Sequence, residues 1–275
     1  MEKIQEAIAK ARASRGSGST TVSGKAALAA DHHPQNQPIR EAWAALQRIE
    51  PDPAHLQKQR VITAKGGHES AAFDALRTKT LQVMRANNWR RLAITSPTPR
   101  CGKSTTILNL AFSLARQSEL RTIVTDLDLR SPSLSRLLGT PPGRSFVDLY
   151  EERAAFEDQG MRYHDNLAFS LSSGPVRNPA ELLSGEGIEG TLVDIERRYE
   201  PDLMLFDTPP ILACDDMMAF AGHVDCVLLV AAAEQTTIKE IDNCERELAR
   251  QTNVMGVVLN KCRYMGREYG YSYYA

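Results

Sequence analysis

Residues 94–106 read Ile-Thr-Ser-Pro-Thr-Pro-Arg-Cys-Gly-Lys-Ser-Thr-Thr and lie between an apolar run and a helical pattern. A phosphate-binding loop of the strict form has a glycine, four residues of any type, and then Gly-Lys-Ser/Thr. Here Pro97 stands at the first glycine, while Gly102-Lys103-Ser104 is intact. Each member of that trio has a physical task. Backbone N–H groups at a helix start point at an anion. Gly102 allows the main chain to approach closely. The Lys103 ammonium can reach the β- and γ-phosphates, and the Ser104 hydroxyl can hold magnesium. Pro99, Arg100, Cys101 and Thr105 complete the candidate nucleotide loop. As a loop residue, Lys103 is expected to face the surface and to contribute little to stability. A Gly-Lys-Ser without this context would more often be an ordinary turn ahead of a helix.

Magnesium prefers oxygen ligands, often water held by carboxylates. One apolar run ends Thr125-Asp126-Leu127-Asp128-Leu129-Arg130, and another ends Asp207-Thr208-Pro209-Pro210. Period-two alternation along a strand puts Asp126 and Asp128 on the same side. Taken singly, each aspartate reads as a loop or helix-cap residue. Three carboxylates at two strand ends, with Gly-Lys-Ser at a third, define a metal and phosphate site. Its magnesium ligands would be Ser104, Asp128 and Asp207.

These residues need elements to hold them. From Arg90 onward, short apolar runs at 90–97, 121–129, 166–173, 202–210, 225–233 and 253–261 alternate with helical patterns such as STTILNLAFSLARQ. Near-continuous apolar runs belong to strands buried on both faces. The alternation predicts an α/β fold, doubly wound around a mostly parallel sheet with flanking helices. In such sheets ligands bind at the carboxyl ends of the strands. Upstream, a short helix is expected around Arg40 to Ile49, ended by Pro51 and Pro53. Another is expected from Ser70 to Ala86, with Ala72, Leu76, Thr80 and Val83 as its buried stripe. Residues 1–14 also carry an apolar helical face, and a small-residue, polar stretch from Ser14 to Pro38 reads as a disordered linker. The expected division is 1–60 for this N-terminal extension, 61–262 for the phosphate-loop domain and 263–275 for a tail. Five of the eight tyrosines fall in the last twelve residues.

Composition narrows the class. Lys and Arg total 33 against 34 Asp and Glu, a formal charge of -1. That balance argues against a broad electrostatic nucleic-acid binder. No run approaches the roughly 20 apolar residues of a membrane span, and the polar start lacks a secretory signal, so the expected compartment is the cytoplasm. Cys101, Cys214, Cys226, Cys244 and Cys262 include no CxxC pair, which suits reduced thiols. His32 and His33 have no ligand pattern around them.

The motifs together resemble the cytoplasmic catalytic domain of bacterial tyrosine kinases of polysaccharide export. The family's Walker A form SPxPGEGKSTTxxNLA appears as SPTPRCGKSTTILNLA. Its acidic DxDxR motif appears as Asp126, Asp128 and Arg130, and its Walker B run ends here at Asp207 to Pro210. A further segment matches Ser173 to Leu183, where Asn178, Pro179 and Glu181 also read as a helix cap and capping box. GVVLNK is present at Gly256 to Lys261, and a tyrosine cluster follows. Two positions depart from the family. Arg100-Cys101 replaces Gly-Glu, which strains the loop if residue 100 needs positive φ. In the oligomerising helix, with its ExxRxxR pattern, only Arg77 matches.

The resemblance implies an ATP- and magnesium-dependent protein-tyrosine autokinase regulating polysaccharide export. Lys103, Asp126, Asp128 and Arg130 would be catalytic, with Asp126 the base facing the tyrosine hydroxyl. Tyr269, Tyr271, Tyr273 and Tyr274 would be the phosphoacceptors, presented to a neighbouring subunit of a homo-oligomer. The family works beside a membrane-embedded chain-length regulator, which would hold this chain at the inner face of the plasma membrane. The N-terminal helix is a candidate docking element. Two other readings share these motifs. One is a partitioning ATPase of the ParA/MinD kind, whose signature lysine would fall at Thr98. The other is a degenerate, non-catalytic nucleotide-binding module.

Overall fold

The computed structural model describes residues 37–141, 144–185 and 187–262. The first expected helix, the linker up to residue 36, His32 and His33, and the tyrosine tail lie outside the described residues; Gln37 and Pro38, expected as linker, instead open a helix that runs to Ala45. Eight strands form one sheet: β1 (Gln47–Arg48), β2 (Arg91–Thr95), β3 (Thr122–Asp126), β4 (Met161–Tyr163), β5 (Leu167–Ser170), β6 (Leu203–Asp207), β7 (Cys226–Ala232) and β8 (Asn253–Asn260). Their order is β1-β4-β5-β3-β6-β2-β7-β8. All pairings are parallel except β4 with β5.

Both faces of the sheet are covered, which is why its strands read as continuous apolar runs. Alternate residues feed two separate cores. Leu92, Ile94, Val124, Leu205 and Leu228 pack on one face with α3 (Ala71–Asn87) and α4 (Lys103–Ala115). Ala93, Ile123, Met204, Phe206 and Val227 pack on the other with α9 (Gly187–Tyr199), α10 (Asp216–Phe220) and α11 (Ile238–Leu248). The smaller helices are α1 (Gln37–Ala45), α2 (Pro53–Lys58), α5 (Leu134–Leu138), α6 (Phe146–Tyr150), α7 (Phe156–Gln159) and α8 (Pro179–Leu183). The doubly wound, mostly parallel expectation holds.

Several local expectations change. The helix over 40–49 ends at Ala45, and residues 47–48 form a strand instead. Pro53 does not terminate it. It starts α2, where the missing N–H is harmless, and the Asp52 carboxylate accepts the amides of Ala54 and His55. The expected division at residue 60 falls inside a compact unit that begins at Gln37. There β1 pairs with β4, Trp43 and Leu46 are buried, and the Trp43 indole donates to the Tyr199 carbonyl at 2.8 Å. The buried stripe of α3 is Thr80, Leu81 and Met84, with Ala72 exposed. Upstream on this helix, polar bonds do the packing. Asp74 accepts from Ser113 of α4 and pairs with Arg116, while Arg77 donates to the Ser113 carbonyl at 3.1 Å.

Candidate functional site: a phosphate loop over three carboxylates

The loop between β2 and α4 is fixed from below. The Thr208 amide and hydroxyl both donate to the Ile94 carbonyl, and the Ile211 and Leu212 amides donate to Ser96 and Pro97. The Thr95 hydroxyl returns a bond to Pro209 at 2.7 Å. The Asp-Thr-Pro-Pro run thus holds the start of the phosphate loop against the end of β6. At the far side, the Asn260 amide donates to the Cys101 carbonyl at 2.9 Å. A Cβ at Gly102 would collide with that amide, and Gly102 has φ +97°. The positive φ favours glycine there, and a larger residue would also push the Asn260 amide off the Cys101 carbonyl. Arg100 occupies the left-handed region with φ +66°, so the strain expected from the departure at this position is present. It is exposed and has no ion pair among the described residues.

Lys103 opens α4 but does not face the surface. It is 9% exposed, and its ammonium donates to Asp128 Oδ2 at 2.6 Å and lies 3.7 Å from Asp207 Oδ1. The expectation of a surface lysine fails because the loop folds it back over the strand ends, where the carboxylates are. Burial works against its charge, but Asp207 and Asp128 outweigh that and raise its pKa.

The carboxylates occupy different settings. Asp126 and Asp207 are register partners on adjacent strands, both fully buried. Burial, and after it the facing Asp207 charge, pushes the Asp126 carboxyl up to about 8. Asp126 Oδ2 also accepts the Ser133 and Leu134 amides, each at 3.0 Å, at the start of α5. Asp128 is not on the strand, which ends at Asp126. The two aspartates converge because the chain turns, with the Asp128 amide donating to Asp126 Oδ1 at 3.3 Å. Burial drives the Asp207 pKa upward, opposed by Lys103. Neither Asp207 oxygen has a hydrogen-bond partner among the described residues.

A buried carboxylate with no hydrogen bond of its own, a second carboxylate in Asp128 and the Ser104 hydroxyl make an oxygen-rich donor set of the kind magnesium takes. Ser104 is near enough to Asp207 to favour its ionised form. Asp128, Asp207 and Ser104 therefore fit the ion. Among the described residues no group of three or more His, Cys, Asp or Glu side chains could hold a metal unaided.

Arg130 does not join Lys103. Its Nε and Nη2 grip both oxygens of the buried Asp216 at 2.8 Å each. Cys101 is buried; burial raises its pKa, but hydrogen bonding with Thr98 and Thr236 more than reverses this. Thr98 itself meets Cys101 and carries no charge. Asn178 caps α8 by position and Pro179 takes its first turn, but the capping box is not formed. Asn178 sits at φ +47° and donates to the Glu181 side chain at 3.2 Å instead. Asn260 and Asp216 are functional positions that neither the phosphate loop nor the acidic motif includes. The first was signalled by its place at the end of an apolar run, whereas nothing near Asp216 signalled its pairing.

A parallel sheet, a Gly-Lys-Ser loop at the carboxyl end of one strand and carboxylates at two others define a nucleotide-binding phosphate-loop protein. The domain described as CbiA, the CobQ/CobB/MinD/ParA nucleotide binding domain, matches residues 92–269. The kinase domain of VpsO is 30% identical, with a TM-score of 0.62, over 75% of this chain and 98% of that one. The kinase domain of the Escherichia coli tyrosine kinase ETK is 27% identical, with a TM-score of 0.64, over 74% and 80%. Tyrosine-protein kinase YwqD of Bacillus subtilis is 28% identical over 80% of this chain and 88% of its own length. Tyrosine-protein kinase wzc of Salmonella typhimurium is 30% identical over 79% of this chain, which spans only 31% of that protein. The chain belongs to the bacterial tyrosine kinases, enzymes that phosphorylate protein tyrosine.

Proposed function

We propose that this kinase transfers the γ-phosphoryl group of ATP to Tyr269, Tyr271, Tyr273 and Tyr274 of a neighbouring copy, and that it regulates polysaccharide export. The observation that carries the nucleotide half is the buried Lys103 between Asp128 and Asp207, at the foot of a loop opening onto a helix start. Lys103 would exchange its carboxylate partners in part for phosphate oxygens. The amides at the start of α4 would hold the same phosphates. Ser104, Asp128 and Asp207 would hold magnesium, which when bound neutralises charge on the phosphate oxygens. A phenol has a pKa near 10, so Asp126 would chiefly orient the acceptor hydroxyl and take its proton late. With its carboxyl pushed up to about 8, Asp126 must first give up the proton it holds near neutral pH, so this role requires transfer to rise as pH climbs toward 8.

The partner would be a membrane protein of the export machinery. No helix among the described residues is long and apolar enough to cross a membrane. The ParA/MinD reading is disfavoured by Thr98, a neutral residue bonded to its own loop. Incubating the full chain with γ-labelled ATP and magnesium, with and without membranes carrying candidate partners, separates the readings. Label in tyrosine supports the kinase. Phosphate release without labelled tyrosine supports the switch ATPase, and neither reaction supports a binding module.

A further inference from the structure

A cavity of about 660 Å³ opens beside the carboxylate site, between the segment after β3 and the segment after β5. Its lining includes Arg130, Arg136, Ser131, Ser135 and Ser173, and among the described residues no carboxylate. It begins two positions beyond Asp128, the partner of Lys103. The Arg130 guanidinium is held in place by the buried Asp216 through Nε and Nη2. Asp215 lies 3.9 Å from its Nη2, and the side chain keeps about half of its surface exposed. Arg136 is exposed; its guanidinium donates a long bond to the Gln59 side chain, at 3.5 Å, and its carbonyl meets the His55 ring. The outer edge of a guanidinium fixed in place, the exposed guanidinium of Arg136 and the Ser131 and Ser173 hydroxyls form a surface for a phosphate group. The volume is within the range of small-molecule sites, and it exceeds what a bare phosphate fills.

The sequence supplies an independent clue. Tyr269, Tyr271 and Tyr273 are spaced two apart. In an extended peptide, residues i and i+2 share one side and lie roughly 7 Å apart. A tyrosine two positions from the acceptor is therefore delivered next to the reacting site. Once phosphorylated it carries about -1.5 to -2 charges, which the acidic reaction site would repel and this cavity would accept.

We propose that the cavity binds a phosphotyrosine two residues from the tyrosine being phosphorylated, so that one phosphorylation promotes the next. The proposal rests on the kinase reading of the neighbouring site. The test uses the full chain with all four tail tyrosines changed to Phe, and fluorescein-labelled peptides of the sequence 263–275. One peptide is unmodified and the other carries phosphotyrosine at 271. Anisotropy without nucleotide should show at least tenfold tighter binding of the phosphopeptide. Arg136→Gln, an exposed change that should leave the melting temperature unaltered, should remove that advantage and leave unmodified-peptide binding as it was. Equal binding of the two peptides, or an undiminished advantage in R136Q, overturns the proposal. So does inorganic phosphate that displaces the peptide as well as free phosphotyrosine does, since that marks a generic anion site. With Mg-ATP added, the phosphopeptide should show a lower KM for transfer to Tyr269 or Tyr273. Selective binding without any transfer would support the cavity and sink the kinase reading alone.

Discussion

Replacing Lys103 by Ala should do more than silence the enzyme. The ammonium lies 2.6 Å from Asp128 and 3.7 Å from Asp207, with side chains 11%, 7% and 0% exposed. Removing one partner of such a buried pair typically costs about 3–5 kcal/mol. An upper bound comes from the alternative open to the carboxylates, which is to take up a proton. Neutralising a carboxyl with an ordinary pKa of 3.8 costs about 4 kcal/mol at pH 7 and about 2 kcal/mol at pH 5, at about 1.4 kcal/mol per pH unit. The expected loss at pH 7 is therefore about 3–4 kcal/mol. For a unit of this size that is about 6–16 °C in melting temperature. The sign with pH follows. The variant's folded state would hold a proton that its unfolded state releases. The stability tied to that group is fully present below 3.8 and lost as pH rises, so the deficit should shrink by roughly half at pH 5. Calorimetric melting of wild type and K103A at both pH values measures this, and phosphotyrosine formation is followed in parallel. A melting temperature within 2 °C of wild type at pH 7, or a deficit independent of pH, would refute the buried-pair argument. A destabilised variant that still transfers phosphate would refute the phosphate assignment and leave the electrostatics standing.

Arg100→Gly should relieve the left-handed strain and raise urea stability by about 0.5–1 kcal/mol, while the loss of an unpaired exposed charge weakens ATP binding about two- to fivefold. Unchanged stability and affinity would mean that Arg100 is neither strained nor near the phosphates. Asp126, with its carboxyl at about 8, holds a proton in the folded chain that the unfolded chain gives up. Its contribution therefore falls as pH climbs from 4 to 8, and Asp126→Asn should flatten the wild-type stability slope across that window in a urea series while sharply lowering transfer. Changing Tyr269, Tyr271, Tyr273 and Tyr274 to Phe should abolish phosphotyrosine yet spare ATP hydrolysis, and wild-type labelling of that variant would show that the acceptors lie elsewhere.

The strands carrying the site were readable because each is a run of apolar residues buried on two faces. The two shortest strands were not. Gln47–Arg48 is exposed on both residues, and Met161–Tyr163 spans three, too few for any periodicity to register. The members of the carboxylate site were legible as residue types at strand ends. Their arrangement was not. A lysine in a loop reads as solvated, and its burial depends on Asp128, 25 positions away, and on Asp207 beyond it. Asp126 and Asp128 do come close, but a turn after the strand and not strand alternation brings them together. Arg130 was legible as part of a motif, but its grip on Asp216 spans 86 positions and depends on the fold.

The docking of Trp43 against the Tyr199 carbonyl has a consequence for synthesis on the ribosome. The two residues are 156 positions apart, and β1 also waits for β4 to be made. At about 5–20 residues per second, the segment around Trp43 emerges roughly 8–30 seconds before its resting place exists. During that interval Ile39, Trp43 and Leu46, all buried at the end, are available to chaperones or to other nascent chains. The earliest-made of the described segments thus cannot seat until residue 199 exists, and a slow stretch of translation before that residue would prolong the exposure.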